Sequence, residues 1–122
     1  MKFLSTRNPG HAATLSEAIA RGIAPDGGLY VPEEWPTLYA DGDDRSDSLS
    51  FDPLAAWVLD VLGADDEIGK LAWRVYGDGL PFPIRVAPLV QIGPGDWMLE
   101  LFHGPSLSFK DIALQLIGPV YD

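Results

Sequence analysis

Cysteine is absent from the 122 residues, which removes disulfides, thiolate metal sites and cysteine nucleophiles together. Histidine is scarce: His11 and His103 are the two, and without cysteine their spacing offers no zinc site. Basic residues are also few, eight against eighteen acidic, for a formal charge of −10 at pH 7. Such a chain repels phosphate backbones and anionic membrane surfaces, and it carries no basic stripe, so no nucleic-acid partner is expected. There is no run of eighteen apolar residues and no basic start followed by an apolar stretch. Neither a membrane span nor a secretory leader is therefore expected, and the cytoplasm is the default location. No internal repeat is visible.

What is present is a chain that can bury a core, at 47% hydrophobic residues, but whose length suits one domain better than a two-domain enzyme. Thirteen glycines and eleven prolines predict short elements and numerous connections. Lys2 to Ser5 reads as a short strand. Thr14 and Glu17 spell a capping box, with Leu15, Ala18 and Ile19 on one face of a helix that Gly22 ends. Ala24 to Gly28 is a turn, and Leu29 to Val31 a strand closed by Pro32.

From Asp41 to Ser48 the chain is acidic and loop-like. A calcium loop fails there, because Arg45 and Ser46 stand where a ligand and a glycine are needed. Asp52 is expected to cap a helix with Pro53 at its first position and Leu54, Trp57, Val58, Val61 and Leu62 on the apolar face. Asp65 or Asp66 starts another, with Ile68, Leu71, Ala72, Val75 and Tyr76 inward and Gly77 after it. The two should pack as a pair with Trp57 and Trp73 as core anchors. Leu89 to Ile92 and Trp97 to Phe102 then form a hairpin around Gly93–Asp96.

The chain turns on the stretch Leu101 to Asp111, where an apolar strand breaks on Gly104-Pro105 and restarts as a helix near Phe109. Ser108 and Asp111 have the spacing of a capping box, which puts Lys110 in the first helical turn. A cation is disfavoured at that positive end of the helix dipole, and Leu107, Phe109 and Ile112 would desolvate it further. Only a free lysine amine attacks a carbonyl carbon, and the exposed N–H groups beside it suit a phosphate. The residues alone leave open an ordinary surface lysine whose stem lies on apolar neighbours.

Other chemistries fail at this stretch. Ser108 stands where a nucleophile elbow needs glycine, and Phe109 and Asp111 flank Lys110 where a Walker A loop needs Gly and Ser or Thr. His103 reads as hydrogen-bonded scaffold. The last segment, Ile112 to Ile117, is apolar on nearly every side, and a helix of that kind is normally surrounded by protein.

Three patches together resemble threonine synthase. They are Ser5-Thr6-Arg7 with the Leu15 to Ala18 helix, then Ala24 to Pro32, and, most specific, Leu99 to Asp111 followed by Ala113, Leu114 and Gln115. Serine replaces the family's usual threonine at Ser106 and its usual alanine at Ser108. The resemblance implies a pyridoxal-phosphate enzyme that converts O-phosphohomoserine and water to threonine and phosphate. It implies that Lys110 carries the cofactor as a Schiff base, that Phe109 packs near the cofactor ring and that Ser106 binds substrate or cofactor groups.

The implied fold is α+β. Residues 1–96 would form a small N-terminal domain of short strands and helices. Residues 97–122 would be the first strand and helix of a tryptophan-synthase-β-like (fold type II) pyridoxal-phosphate domain. The remainder of that domain would be the chain's missing partner, and the fragment alone would be inactive. The alternative is a non-catalytic interaction domain that docks, or self-associates, through its apolar C-terminal helix.

Overall fold

The computed structural model describes residues 1–38, 50–77, 81–82 and 85–121. Two small sheets and four helices alternate along it. A three-stranded antiparallel sheet has the order β2-β1-β3, with β1 (Phe3–Ser5) central between β2 (Ala12–Ala13) and β3 (Tyr30–Pro32). Phe3 faces Ala13 on one side and Pro32 on the other. Proline can stand there because β3 is an edge strand, where its missing N–H costs no ladder bond. Alternation along β1 turns Phe3 and Ser5 inward, both buried.

The buried Ser5 hydroxyl does not stand alone. It donates to the Asp26 carboxylate at 2.7 and 2.9 Å to its two oxygens, and it accepts from the Arg7 N–H at 3.2 Å. Asp26 also accepts from the Gly28 N–H at 2.9 Å. Gly28 must be glycine, since a Cβ there would run into the Ser5 hydroxyl. Across the same junction the Arg7 guanidinium donates to the Asp26 carbonyl at 3.0 Å, and the Leu29 N–H donates to the Thr6 hydroxyl at 3.0 Å. The Ser5-Thr6-Arg7 and Asp26-Gly27-Gly28 segments are thus one polar knot that ties β3 to β1.

Helix α1 (Leu15–Arg21) begins with the expected capping box: the Thr14 hydroxyl accepts from the Glu17 N–H, and the Glu17 carboxylate accepts from the Thr14 N–H at 2.8 Å. It ends at Gly22, whose φ of 68° suits a residue without Cβ. Helix α2 (Phe51–Val61) starts earlier than its sequence suggests. Ser50, not Asp52, is the N-cap residue, and Asp52 instead accepts from the Ser50 hydroxyl at 2.7 Å. Pro53 becomes the third helical residue, still within the first turn where no N–H has a helical partner.

Helix α3 (Asp66–Tyr76) is capped by Asp65, which accepts from the Ile68 N–H at 3.0 Å and from the Ser16 hydroxyl of α1 at 2.9 Å. Helices α2 and α3 pack on each other. Ala72 is fully buried between them, and Ile68 nearly so. Trp57 is partly buried, but Trp73 is 53% exposed, so it is no core anchor. Three rings extend the packing: Phe51 meets Tyr76 edge-on at 5.0 Å, and Tyr76 meets Phe82 at 6.1 Å. Phe82 is buried.

The predicted hairpin is present as β4 (Leu89–Gly93) and β5 (Asp96–Leu99), with Gly95 at φ 83° in the turn and an irregular register between Gln91 and Gly93. The second strand ends at Leu99 rather than Phe102, because pairing stops where the Glu100 N–H donates to the Pro88 carbonyl and β4 offers no further partner. Helix α4 (Lys110–Tyr121) lies beside α3. The Tyr121 hydroxyl donates to the Ile19 carbonyl at 2.7 Å, satisfying an otherwise open carbonyl near the end of α1. Pro119 does not end α4, which continues to Tyr121. None of the apolar side chains of α4 is fully buried, and Leu114 and Tyr121 are more than half exposed.

Candidate active site

Beyond β5 the chain runs without regular structure from Glu100 to Phe109. His103 is held at its start. Its Nε2 lies 2.7 Å from the Glu100 carboxylate, both side chains are mostly buried, and the Phe102 ring stacks on it at 4.7 Å between centroids. The scaffold reading of His103 fits this pairing. Glu100 as its partner was not drawn from the sequence, although a Glu and a His three residues apart was the available signal.

Asp111, the second residue of α4, organises the rest. It is 5% exposed, yet charged in character. One carboxylate oxygen, Oδ1, accepts from the Ser106 hydroxyl at 2.6 Å, and Oδ2 accepts from the Ser106 N–H at 2.8 Å. These bonds, led by the Ser106 hydroxyl, hold the Asp111 carboxyl below the usual carboxylate range. Gly104 is buried against the same side chain, and a Cβ on it would overlap the Asp111 Cβ and carboxylate.

The expected capping box of Ser108 and Asp111 gives way to a different set of bonds. The Ser108 hydroxyl accepts from the Lys110 N–H at 3.3 Å, while the Asp111 N–H donates to the Ser108 carbonyl at 3.0 Å. The Asp111 carboxylate makes its short hydrogen bonds elsewhere. It turns inward to Ser106, five residues before it, because the chain curls between Gly104 and Leu107. The Leu107 N–H donates to the Gly104 carbonyl at 3.1 Å, and Leu107 itself adopts φ 59°, the left-handed region that branched and bulky residues avoid.

Lys110 is the first residue of α4 and is exposed. Among the described residues its amine makes no hydrogen bond or ion pair. The apolar surroundings expected from the sequence are mostly absent, since Leu107 is 74% and Phe109 63% exposed. The left-handed turn at Leu107 carries both side chains outward. Ser106, expected to meet substrate, has its hydroxyl hydrogen committed to Asp111. The structure thus brings Ser106, Asp111 and Gly104 together and leaves Lys110 and Phe109 side by side on the surface.

Chemically, this is a primary amine without a partner among the described residues, at the positive end of a twelve-residue helix and one residue after an exposed aromatic side chain. It suits a carbonyl electrophile that carries a planar ring and negative charge. Among the described residues no cluster of three or more metal-ligating side chains exists, and no helix is long and apolar enough to cross a membrane.

Known proteins resemble this chain along its length. The chain is 40% identical to threonine synthase of Pseudomonas aeruginosa over 126 residues, an alignment that takes in 100% of this chain and 26% of that protein. It is 34% identical to threonine synthase of Schizosaccharomyces pombe, again over its whole length and 24% of the relative. The crystal structure of PLP-bound threonine synthase from Brucella melitensis superposes with a TM-score of 0.81 at 37% identity, covering 96% of this chain and 26% of that one. The chain therefore spans about a quarter of the length of the relatives it matches. The family model described as threonine synthase N terminus matches residues 2–72, more than half of the chain, and the chain accordingly belongs to the threonine synthase family as its N-terminal portion.

Proposed function

We propose that the complete protein is a pyridoxal-phosphate-dependent lyase that converts O-phospho-L-homoserine and water to L-threonine and phosphate, with Lys110 as the residue that holds the cofactor covalently. The observation that carries this reading is the placement of Lys110: an exposed amine without a partner among the described residues, on the first turn of a helix, in a chain that matches threonine synthases along its whole length. The residues present fit the cofactor as far as they reach. A primary amine is the donor its aldehyde requires, and the bare ring of Phe109 offers an apolar surface to a flat heteroaromatic ring.

When bound, pyridoxal phosphate supplies the electron sink for carbanion chemistry on the amino acid. The chain's own part is to hold and release. Lys110 Nζ would hold the cofactor through its aldehyde carbon and, once released, would take and return protons at the α and β carbons of the substrate. Phe109 would offer its exposed ring as an apolar surface beside the cofactor.

The division of the chain follows the same reading. Residues 1–96 form the N-terminal domain, and residues 97–122 begin the cofactor domain, with the β4–β5 hairpin where one passes into the other. The exposed apolar side chains of α4 and the hairpin support cover by the remainder of the enzyme rather than docking on a second copy. On this reading the fragment is inactive alone, and the full enzyme works in the cytoplasm.

The test is made in the full-length protein. Lys110→Ala should abolish both threonine formation from O-phosphohomoserine and borohydride-trapped pyridoxal phosphate on the peptide containing residue 110. Turnover retained in Lys110→Ala, or cofactor trapped on a different lysine of the parent enzyme, overturns the assignment.

A further inference from the structure

We propose that Asp111, acting through Ser106, is a positioning residue for Lys110: a latch that sets the direction in which the amine leaves α4, and so its readiness to capture an aldehyde. This rests on the reading of Lys110 as the cofactor-bearing lysine. Successive side chains on a helix point about 100° apart. Burying Asp111, at 5% exposure, therefore carries Lys110 to the solvent side of the same turn.

What keeps Asp111 buried is local and closed on itself. Both carboxylate oxygens are bound by one residue, Oδ1 by the Ser106 hydroxyl at 2.6 Å and Oδ2 by the Ser106 N–H at 2.8 Å. Gly104 leaves no room behind the carboxylate, and Leu107 is held at φ 59° between the two ends of the latch. From the other side the Tyr76 hydroxyl donates to the Ile112 carbonyl at 2.6 Å and holds the same helical turn against α3. Lys110 sits between these fastenings with its own N–H on Ser108. Its backbone is fixed, while its amine has no partner among the described residues.

The latch also revises the role of Ser106. A hydroxyl whose hydrogen points to Asp111 is a part of the frame, and its effect should appear before any substrate binds. Asparagine at 111 can keep the geometry without the charge, since its carbonyl accepts from the Ser106 N–H and its amide donates to the Ser106 oxygen. Alanine can do neither.

The experiment follows the rate at which apo full-length enzyme captures pyridoxal phosphate at residue 110, by borohydride trapping and peptide mapping without substrate. Circular dichroism establishes that each variant is folded. Asp111→Ala should slow capture about tenfold or more, as misplacement of a reacting group does. Asp111→Asn should restore most of the lost rate, and Ser106→Ala should fall between alanine and parent.

A folded Asp111→Ala that captures at the parental rate overturns the latch. Should Asp111→Ala fail to fold, Ser106→Ala decides: slowed capture supports the latch, and capture at the parental rate with only a raised KM for O-phosphohomoserine overturns it. Cofactor trapped on a lysine other than Lys110 in the parent overturns the reading of Lys110 itself, a result separable from the behaviour of the variants.

Discussion

Gly28 shows how much single atoms decide in the first sheet. Its hydrogen faces the Ser5 hydroxyl so closely that a methyl group would displace it, and that hydroxyl is the partner of Asp26. Gly28→Ala should lower the melting temperature by several degrees. In the double variant Ser5→Ala/Gly28→Ala the second substitution should cost much less than alone, because the group it strikes is gone. Equal and additive losses, read by thermal unfolding, would show that the clash is relieved in some other way. The candidate site was legible at this scale in part. Lys110 stood out because a lysine at a helix start after Gly-Pro is chemically odd. The partner of Asp111 did not, because the capping rule looks three residues back, to Ser108. The real acceptor geometry depends on a loop path through Gly104 and Leu107 that no local rule encodes.

The partly buried Tyr76 hydroxyl fastens helix α4 to α3, and this makes a test at the level of elements. Tyr76 donates to the Ile112 carbonyl at 2.6 Å, and burial pushes its phenol up to about 12. Tyr76→Phe keeps the ring contacts with Phe51 and Phe82 but removes the bond, for a loss of about 1 kcal/mol in urea unfolding. A folded-state phenol raised above its unfolded value stabilises fully below about pH 10. That contribution is lost as the pH rises through about 12. The parent should therefore lose stability over that alkaline window by more than Tyr76→Phe does, and identical alkaline profiles would refute the linkage. Which elements exist was largely readable, because caps at Thr14 and Asp65 and glycines at Gly22 and Gly95 act through neighbours in the chain. What was misread depended on contacts from further away. The start of α2 moved because Pro53 is tolerated anywhere in a first turn. The two-residue strand β2 exists only because β1 lies beside it, and α4 runs through Pro119 with its end held by α1.

Over the whole molecule the balance of charge meets the balance of hydrogen bonds, and the two respond to acid in opposite ways. At pH 7 the net charge is −10, so mild acidification relieves self-repulsion and should leave stability level or slightly higher. Four carboxylates work against this at lower pH. Glu17, held by the Thr14 N–H and hydroxyl, Asp26, held by the Gly28 N–H and Ser5, Asp65, held by the Ile68 N–H and Ser16, and Asp111, held by Ser106, all titrate below their ordinary values in the folded chain. A group with a depressed folded pKa contributes stability that is fully present above its unfolded pKa and is lost as the pH falls through the folded one. Stability should accordingly hold down to about pH 4, the unfolded carboxylate range, and then fall steeply. Salt separates the two effects, because it screens the diffuse repulsion of exposed charges far more than hydrogen bonds made at contact distance. Urea unfolding from pH 7 to pH 3 at low and high salt should flatten the upper part of the profile at high salt while leaving the acid limb in place. An acid limb that vanished in salt would assign the loss to net charge and not to these four groups.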